Sequence, residues 1–352
     1  MSRSPWHALL FTALTLAGCA TPSPRQADNS SGATQVFAAC ETQHEITAPN
    51  PKYPWTPKAI RLTSQKLAPG VFAVYDSEAE AHEAAGIPAA TSGGFVIGDE
   101  GVLLVESMIN RQLFCQFIRL VRQETDKPIR YVVNTSHHGD HSYGNFFLPQ
   151  GVHVVQHERT AAFIAHHFAE DVAFMTGAFG ADQGFDEIRP VAADILVKDS
   201  GWSVDLGNVT VEARYQGFGQ TEGDLFVWVP SAKVLWTGNP LIAQPPAIPW
   251  LLDGHAHEVR QTLAAVQASL PSDAIVVPGH GRPSNPQLFD FSIRYLDALQ
   301  SQVRVAVDHH RSLEQTVSDV SLKDFQGYAL WGWIHTQVNV PKTYAEASRP
   351  SP

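Results

Sequence analysis

The 352-residue chain carries 24 Lys and Arg against 35 Asp and Glu, a formal net charge of −11 with histidine neutral. That balance argues against nucleic acid or an anionic membrane surface as partner, because both call for a cationic face. No segment repeats at solenoid spacing, and the length suits one large domain with a helical tail better than two independent cores.

The chain opens on Arg3, a mostly apolar run over residues 6–16, and Leu16-Ala17-Gly18-Cys19, which resembles a bacterial lipobox. Residues 1–18 therefore read as an export signal, too short to span a bilayer as a stable helix, with cleavage leaving Cys19 for lipid attachment. Ala20 in place of Asp after that cysteine resembles lipoproteins sent to the outer membrane. The expected location is thus the periplasmic face of that membrane in a Gram-negative host. Residues 19–57, rich in Ser, Thr, Pro, Ala and Gln, read as a tether. With Cys19 modified, Cys40 and Cys115 are the one pair left for a disulfide in an oxidising compartment. Such a bond would tie the tether to the helix after Met108 and needs Cα atoms within about 7 Å.

Two β-rich halves follow, residues 71–105 with 129–155, and residues 204–237 with 275–278. Apolar spacing predicts helices over 110–124 and 158–176, a helix from about 256 to 270, and a helical pattern from 289 onward. A short helix after the first half is expected to start with Ser142 as its cap. His255 and His257 lie two apart where that third helix opens, so they diverge instead of chelating. His335 reads as packing or cleft wall. Loops over 179–194 and 244–250 are the expected pocket walls, and their aromatics Phe179, Phe185 and Trp250 suit an apolar or amphipathic small molecule.

The chemistry concentrates where Ile129-Arg130-Tyr131-Val132-Val133 runs into Asn134-Thr135-Ser136-His137-His138-Gly139-Asp140-His141. Divalent ions such as zinc take imidazole nitrogens and carboxylate oxygens, and loops at the carboxyl ends of strands are where open α/β sheets place their sites. Two further motifs join it: Gly217-Phe218-Gly219-Gln220-Thr221-Glu222-Gly223-Asp224, and Val276-Val277-Pro278-Gly279-His280-Gly281 at another strand end.

A His/Asp cluster, a Gly-rich turn closing on Gly-Asp and a Pro-Gly-His-Gly end, in this order, resemble the metallo-β-lactamase superfamily. The likeness extends through Leu67-Ala68-Pro69-Gly70-Val71-Phe72, residues 94–105 and Val234-Leu235-Trp236-Thr237-Gly238-Asn239, about residues 60–285 in all. It implies an α/β fold, a four-layered αβ/βα sandwich over residues 58–288, with a helical extension over 289–352. Against the family pattern His-x-His-x-Asp-His, the first histidine is replaced by Ser136. The later family histidine is Gln220, and the aspartate that bridges two metals is Asn239. One metal position thus maps to Ser136, His138 and Gln220, and the other, complete, to Asp140, His141 and His280.

The resemblance then implies one zinc per chain, or another divalent ion, held by Asp140, His141 and His280, because hydroxyl and amide oxygens replace imidazole poorly. A metal-bound hydroxide would attack an ester, lactone, amide or thioester bond of a small molecule. Asp140 and His138 carry the catalytic roles, with His138 free to serve as general base or oxyanion donor. Ser136 and Gln220 are left to hold water, His137 falls at the pattern's variable position, and Asp224 is expected to orient a ligand imidazole. The alternative is a catalytically inactive lipoprotein that uses the same scaffold to bind a ligand or metal.

Overall fold

The computed structural model describes residues 37–41, 46–53 and 55–349. The export signal and Cys19 lie outside them. The first sheet takes its strands in chain order, from β1 (Leu62–Ala68), β2 (Val71–Asp76), β3 (Gly93–Ile97) and β4 (Val102–Val105) to β5 (Ile129–Val133), β6 (His153–His157) and β7 (Ile195–Val197). It is antiparallel up to the β3–β4 pair and parallel from β4 on. The second sheet comprises β8 (Trp202–Asp205), β9 (Thr210–Arg214), β10 (Phe226–Val229), β11 (Val234–Gly238) and β12 (Ile275–Pro278), antiparallel except for β11 with β12.

Strand alternation sorts the side chains into layers. Along β2 and β4, Val71, Ala73, Leu103 and Val105 point between the sheets, where they meet Val227, Val229, Val234 and Trp236 of the second sheet. Their neighbours Phe72, Val74, Val102 and Leu104 point outward against Leu113, Phe117 and Val121 of helix α2 (Arg111–Glu124), the second helix after the short α1 (Ala79–Ala84). On the far side, Phe226, Trp228 and Leu235 meet Val259 and Leu263 of α5 (Ala256–Ser269) and Tyr295, Leu296 and Leu299 of α6 (Leu288–Asp308). The result is helix, sheet, sheet, helix: a four-layered αβ/βα sandwich. Within the first half, α3 (Gly139–Ser142) links β5 to β6 and α4 (Glu158–Phe179) links β6 to β7, the latter one turn longer than its sequence pattern predicted.

The described segments that flank the core strands are built into this sandwich. Helix α6 begins at Leu288 and forms part of the outer layer, with α7 (Leu313–Asp319), α8 (Trp331–Trp333) and α9 (Val340–Ala347) packed on it. The described part of the expected tether is also attached. Phe37, Trp55 and Thr56 are buried, and Cys40 is bonded to Cys115 of α2 with Cα atoms 5.2 Å apart. The aromatic rings, outnumbered in a low-complexity stretch, supply the burial that its composition hides. Among the described residues no helix is long and apolar enough to cross a membrane.

Candidate metal centre

The candidate ligands and several of their neighbours hang on the carboxyl ends of strands or on the turns next to them. Glu106 follows β4, the His/Asp cluster follows β5, Asn239 follows β11, His280 follows β12, and Gln220 lies in the turn between β9 and β10. Close backbone approach sets the cluster. A Cβ on Gly139 would fall 2.1 Å from the Tyr143 ring, and Gly238 at φ +59° would place one 2.2 Å from Thr135 Oγ1. Helix α3 starts after His138, one turn earlier than expected. Ser142 ends it and stands, as expected, at the N-cap of a short 3-10 helix over Tyr143–Phe147, but its hydroxyl donates back to the carbonyls of His137 and His138 instead of capping.

Asp140, His141 and His280 meet at one point. Asp140 Oδ2 is 3.4 Å from His141 Nε2 and 3.4 Å from His280 Nε2, and both nitrogens are buried without a hydrogen-bond partner. Each ring is held from behind. His280 Nδ1 donates to the Ala89 carbonyl at 3.1 Å, and His141 Nδ1 lies 3.0 Å from Glu106 Oε1, which leaves the Nε2 lone pairs facing the carboxylate. Thr91 Oγ1 donates to Asp140 Oδ2 at 2.6 Å. Ligand bonds of about 2.0–2.1 Å in a tetrahedron leave ligand atoms roughly 3.3–3.4 Å apart, so the spacing fits a zinc-sized ion. The two imidazoles differ in proton affinity. Burial opposes charge on both; the carboxylates of Asp140 and Glu106 outweigh it at His141, pushed up to about 9, whereas burial prevails at His280, pushed down to about 4.

The other position is closed by hydrogen bonds. His138 Nδ1 lies 3.2 Å from Ser136 Oγ and its Nε2 3.2 Å from Asp253 Oδ2, while Asn239 Nδ2 donates to Gln220 Oε1 at 2.9 Å. His137 stacks on Phe163, ring centroids 3.6 Å apart, and its Nε2 reaches Asp253 Oδ2 at 3.6 Å. Burial lowers the pKa of His137 to about 4. At His138 burial acts the same way, but the Asp253 carboxylate outweighs it and raises the pKa.

Several members of the site are silent in the sequence. Glu106 holds His141 and accepts from the Thr135 backbone and hydroxyl, the role expected of Asp224. Asp224 instead accepts from the Thr221 amide at 2.9 Å and from its hydroxyl, closing its own turn. The one local signal for Glu106 is a carboxylate ending an apolar strand, in a left-handed conformation at φ 68°. Asp253, Thr91 and Asp171 carry no motif at all; Asp171 accepts from Tyr143 Oη at 2.7 Å. His255 pairs with Glu346 and His257 with Gln261, so the two diverge. His335 is locked between Tyr295 and the Val320 carbonyl. Phe179 and Trp250 line the cleft over the centre, as do Trp55 and Trp333, whereas Phe185 is in the core beneath it.

A two-sheet sandwich with a His/Asp centre at its strand ends defines a class of metal-centred α/β proteins. The metallo-β-lactamase superfamily model matches residues 86–280, more than half of the chain, and the chain belongs to that superfamily. A type 2 metallo-β-lactamase of Bacillus cereus is 26% identical over 196 residues, 55% of this chain and 68% of that protein. A type 2 enzyme of Bacillus sp. (strain 170) is 24% identical over 197 residues, with the same coverage of both chains. Among solved structures, the metallo-β-lactamase FIM-1 from Pseudomonas aeruginosa in its mono-zinc form superposes with a TM-score of 0.52 at 19% identity, over 68% of this chain and 96% of that one. A double mutant of a sec-alkyl sulfatase gives 0.63 at 16% identity, over 82% and 50%. These likenesses of structure concern the fold.

Proposed function

We propose that the chain is a hydrolase with a single metal ion, zinc by its donor set, acting on an ester, lactone, amide or thioester bond of a small molecule. The observation that carries this reading is the convergence of two buried, unpartnered imidazole nitrogens on Asp140 Oδ2, beside a position whose groups are bonded to one another. Bound there, zinc supplies Lewis acidity and a nucleophile at neutral pH. The chain supplies the rest. Glu106, Thr91 and the Ala89 carbonyl fix the ligand side chains, and His138, whose proton affinity the Asp253 carboxylate raises against the effect of burial, stands at the cleft as a candidate donor to charge developing on a carbonyl oxygen.

Elemental analysis of purified protein tests it. About one zinc per chain is expected, with turnover that stops on chelation; two tightly held ions, or none together with an inert ester and lactone panel, overturn it. We propose in addition export and lipid anchoring through Cys19, so the small-molecule site would face the periplasm. A free thiol at Cys19, found by mass spectrometry of membrane-fraction protein, overturns that part.

A further inference from the structure

Four separate parts of the chain converge over the metal centre, and what they bring is apolar. Trp55 comes from the amino-terminal segment, Phe174 and Phe179 from α4, Trp250 from the loop after β11, and Trp333 from α8. Their rings run on from one another. Trp55 and Phe179 have centroids 4.4 Å apart, and Phe174 and Trp333 6.5 Å apart. Phe174 is 42% exposed at the mouth, an apolar surface whose exposure to water is relieved when something apolar occupies the cleft.

The fixed charges that line it are carboxylates, and its basic groups are the histidines His138 and His280. No lysine or arginine is among the residues lining the cleft, and the adjoining cavity of about 260 Å³ adds Glu170, Asp171 and Asp253. A substrate carboxylate or sulfate would face these carboxylates and find no lysine or arginine in the lining. At the floor, the bond from Asn239 to Gln220 leaves Gln220 Nε2 and Asn239 Oδ1 buried and unpartnered. Exchanging both amides' oxygen and nitrogen still leaves one NH₂ without an acceptor. A carbonyl oxygen is the acceptor such a donor lacks.

We infer that the substrate is a neutral acyl compound with a long apolar chain, an ester, thioester or long-chain lactone, its chain along the aromatic walls and its carbonyl oxygen against the Gln220–Asn239 amides. This rests on the hydrolase reading above and narrows it.

The test uses the zinc-loaded protein with p-nitrophenyl esters from acetate to decanoate, together with a cephalosporin and decyl sulfate as anionic probes. The expected result is a kcat/KM that climbs about fourfold per methylene while the chain is being buried, with both anionic compounds intact. Phe174→Ala and Trp333→Ala should each lower kcat/KM for decanoate about tenfold more than for acetate, mainly through KM. Equal rates along the series, or a preference for either anion, overturns the inference and leaves the hydrolase reading standing. Binding of 2-dodecanone, a neutral ketone with no bond to hydrolyse, is followed in parallel by tryptophan fluorescence. If no ester is cleaved, the hydrolase reading fails; saturable binding of the ketone weakened about tenfold by Phe174→Ala then retains the ligand class, and absence of binding overturns it.

Discussion

Two neighbouring constellations share the floor of one cleft, and they differ in what their polar atoms lack. Around Asp140, two imidazole nitrogens without hydrogen-bond partners lie 3.4 Å from a carboxylate oxygen that Thr91 holds in place. Around His138, the side chains have found one another: serine with histidine, histidine with Asp253, amide with amide. A buried nitrogen left unpaired costs about 1–3 kcal/mol, so the first arrangement persists only if something restores that energy, whereas the second satisfies both nitrogens of its histidine and leaves only Gln220 Nε2 and Asn239 Oδ1 open. The contrast is the one expected if the first position takes an ion and the second, on the reading proposed above, uses hydrogen bonds in place of one.

The strongest way to break this contrast is to remove a ligand. Asp140→Ala or His280→Ala should reduce bound zinc from about one per chain to none and turnover to background, measured by elemental analysis and ester hydrolysis. Retention of the ion in both variants would place it elsewhere, and His137, His138 and Asp253, whose ligand atoms lie within 4.8 Å of one another, would be the group to examine next. The converse experiment restores imidazole to the closed position. Ser136→His combined with Gln220→His should raise the metal content from one ion toward two, since it supplies two neutral nitrogen donors beside His138 and breaks the Asn239–Gln220 bond. Unchanged stoichiometry would mean that Asp253 holds His138 too firmly for these two ligands alone to reopen the position.

A finer measurement asks how much the support behind the ligands contributes. Glu106→Gln retains the size of the side chain but removes the charge facing His141 Nδ1, and should weaken zinc binding about 10–100-fold in a competition titration against a chelator. Asp224→Asn should change affinity much less, because its bonds go to Thr221. Equal losses in the two variants would return to Asp224 the orienting role expected from its motif.

Those two carboxylates also mark what could be read ahead of the structure. The strands were legible because residues such as Val102 and Leu103 alternate between faces, and Asp140, His141 and His280 were legible because each sits at a strand end within a local motif. Glu106, Thr91 and Asp253 were not, since each contributes through a partner remote in sequence and none breaks the pattern of its own segment. Asp224 misled for the reverse reason: a Gly-Asp motif announces a carboxylate near the metal, but the side chain is consumed by its own turn. The amino-terminal segment misled by composition, its polar residues outnumbering Phe37 and Trp55, which anchor it.

The smallest effect concerns the acidic side of the closed position. Asp171 accepts from the Tyr143 hydroxyl and borders the cavity that His137, His138 and Asp253 also line. Burial raises its pKa to about 6, partly offset by His138 and by Tyr143. An acid whose folded pKa exceeds its unfolded value of about 3.9 binds more protons in the native state, so stability is greatest below pH 4 on this account and falls as pH rises toward 6. Because the carboxyl faces an open cavity, the loss is on the order of 1 kcal/mol, less than the full shift would give. Asp171→Asn keeps an oxygen for Tyr143 and abolishes the titration. Between pH 4 and 6 its denaturation midpoint in urea should therefore decline less than that of the parent protein. Parallel pH profiles for the two would show that the carboxyl is solvated by the cavity, and that the closed position tolerates its charge without strain.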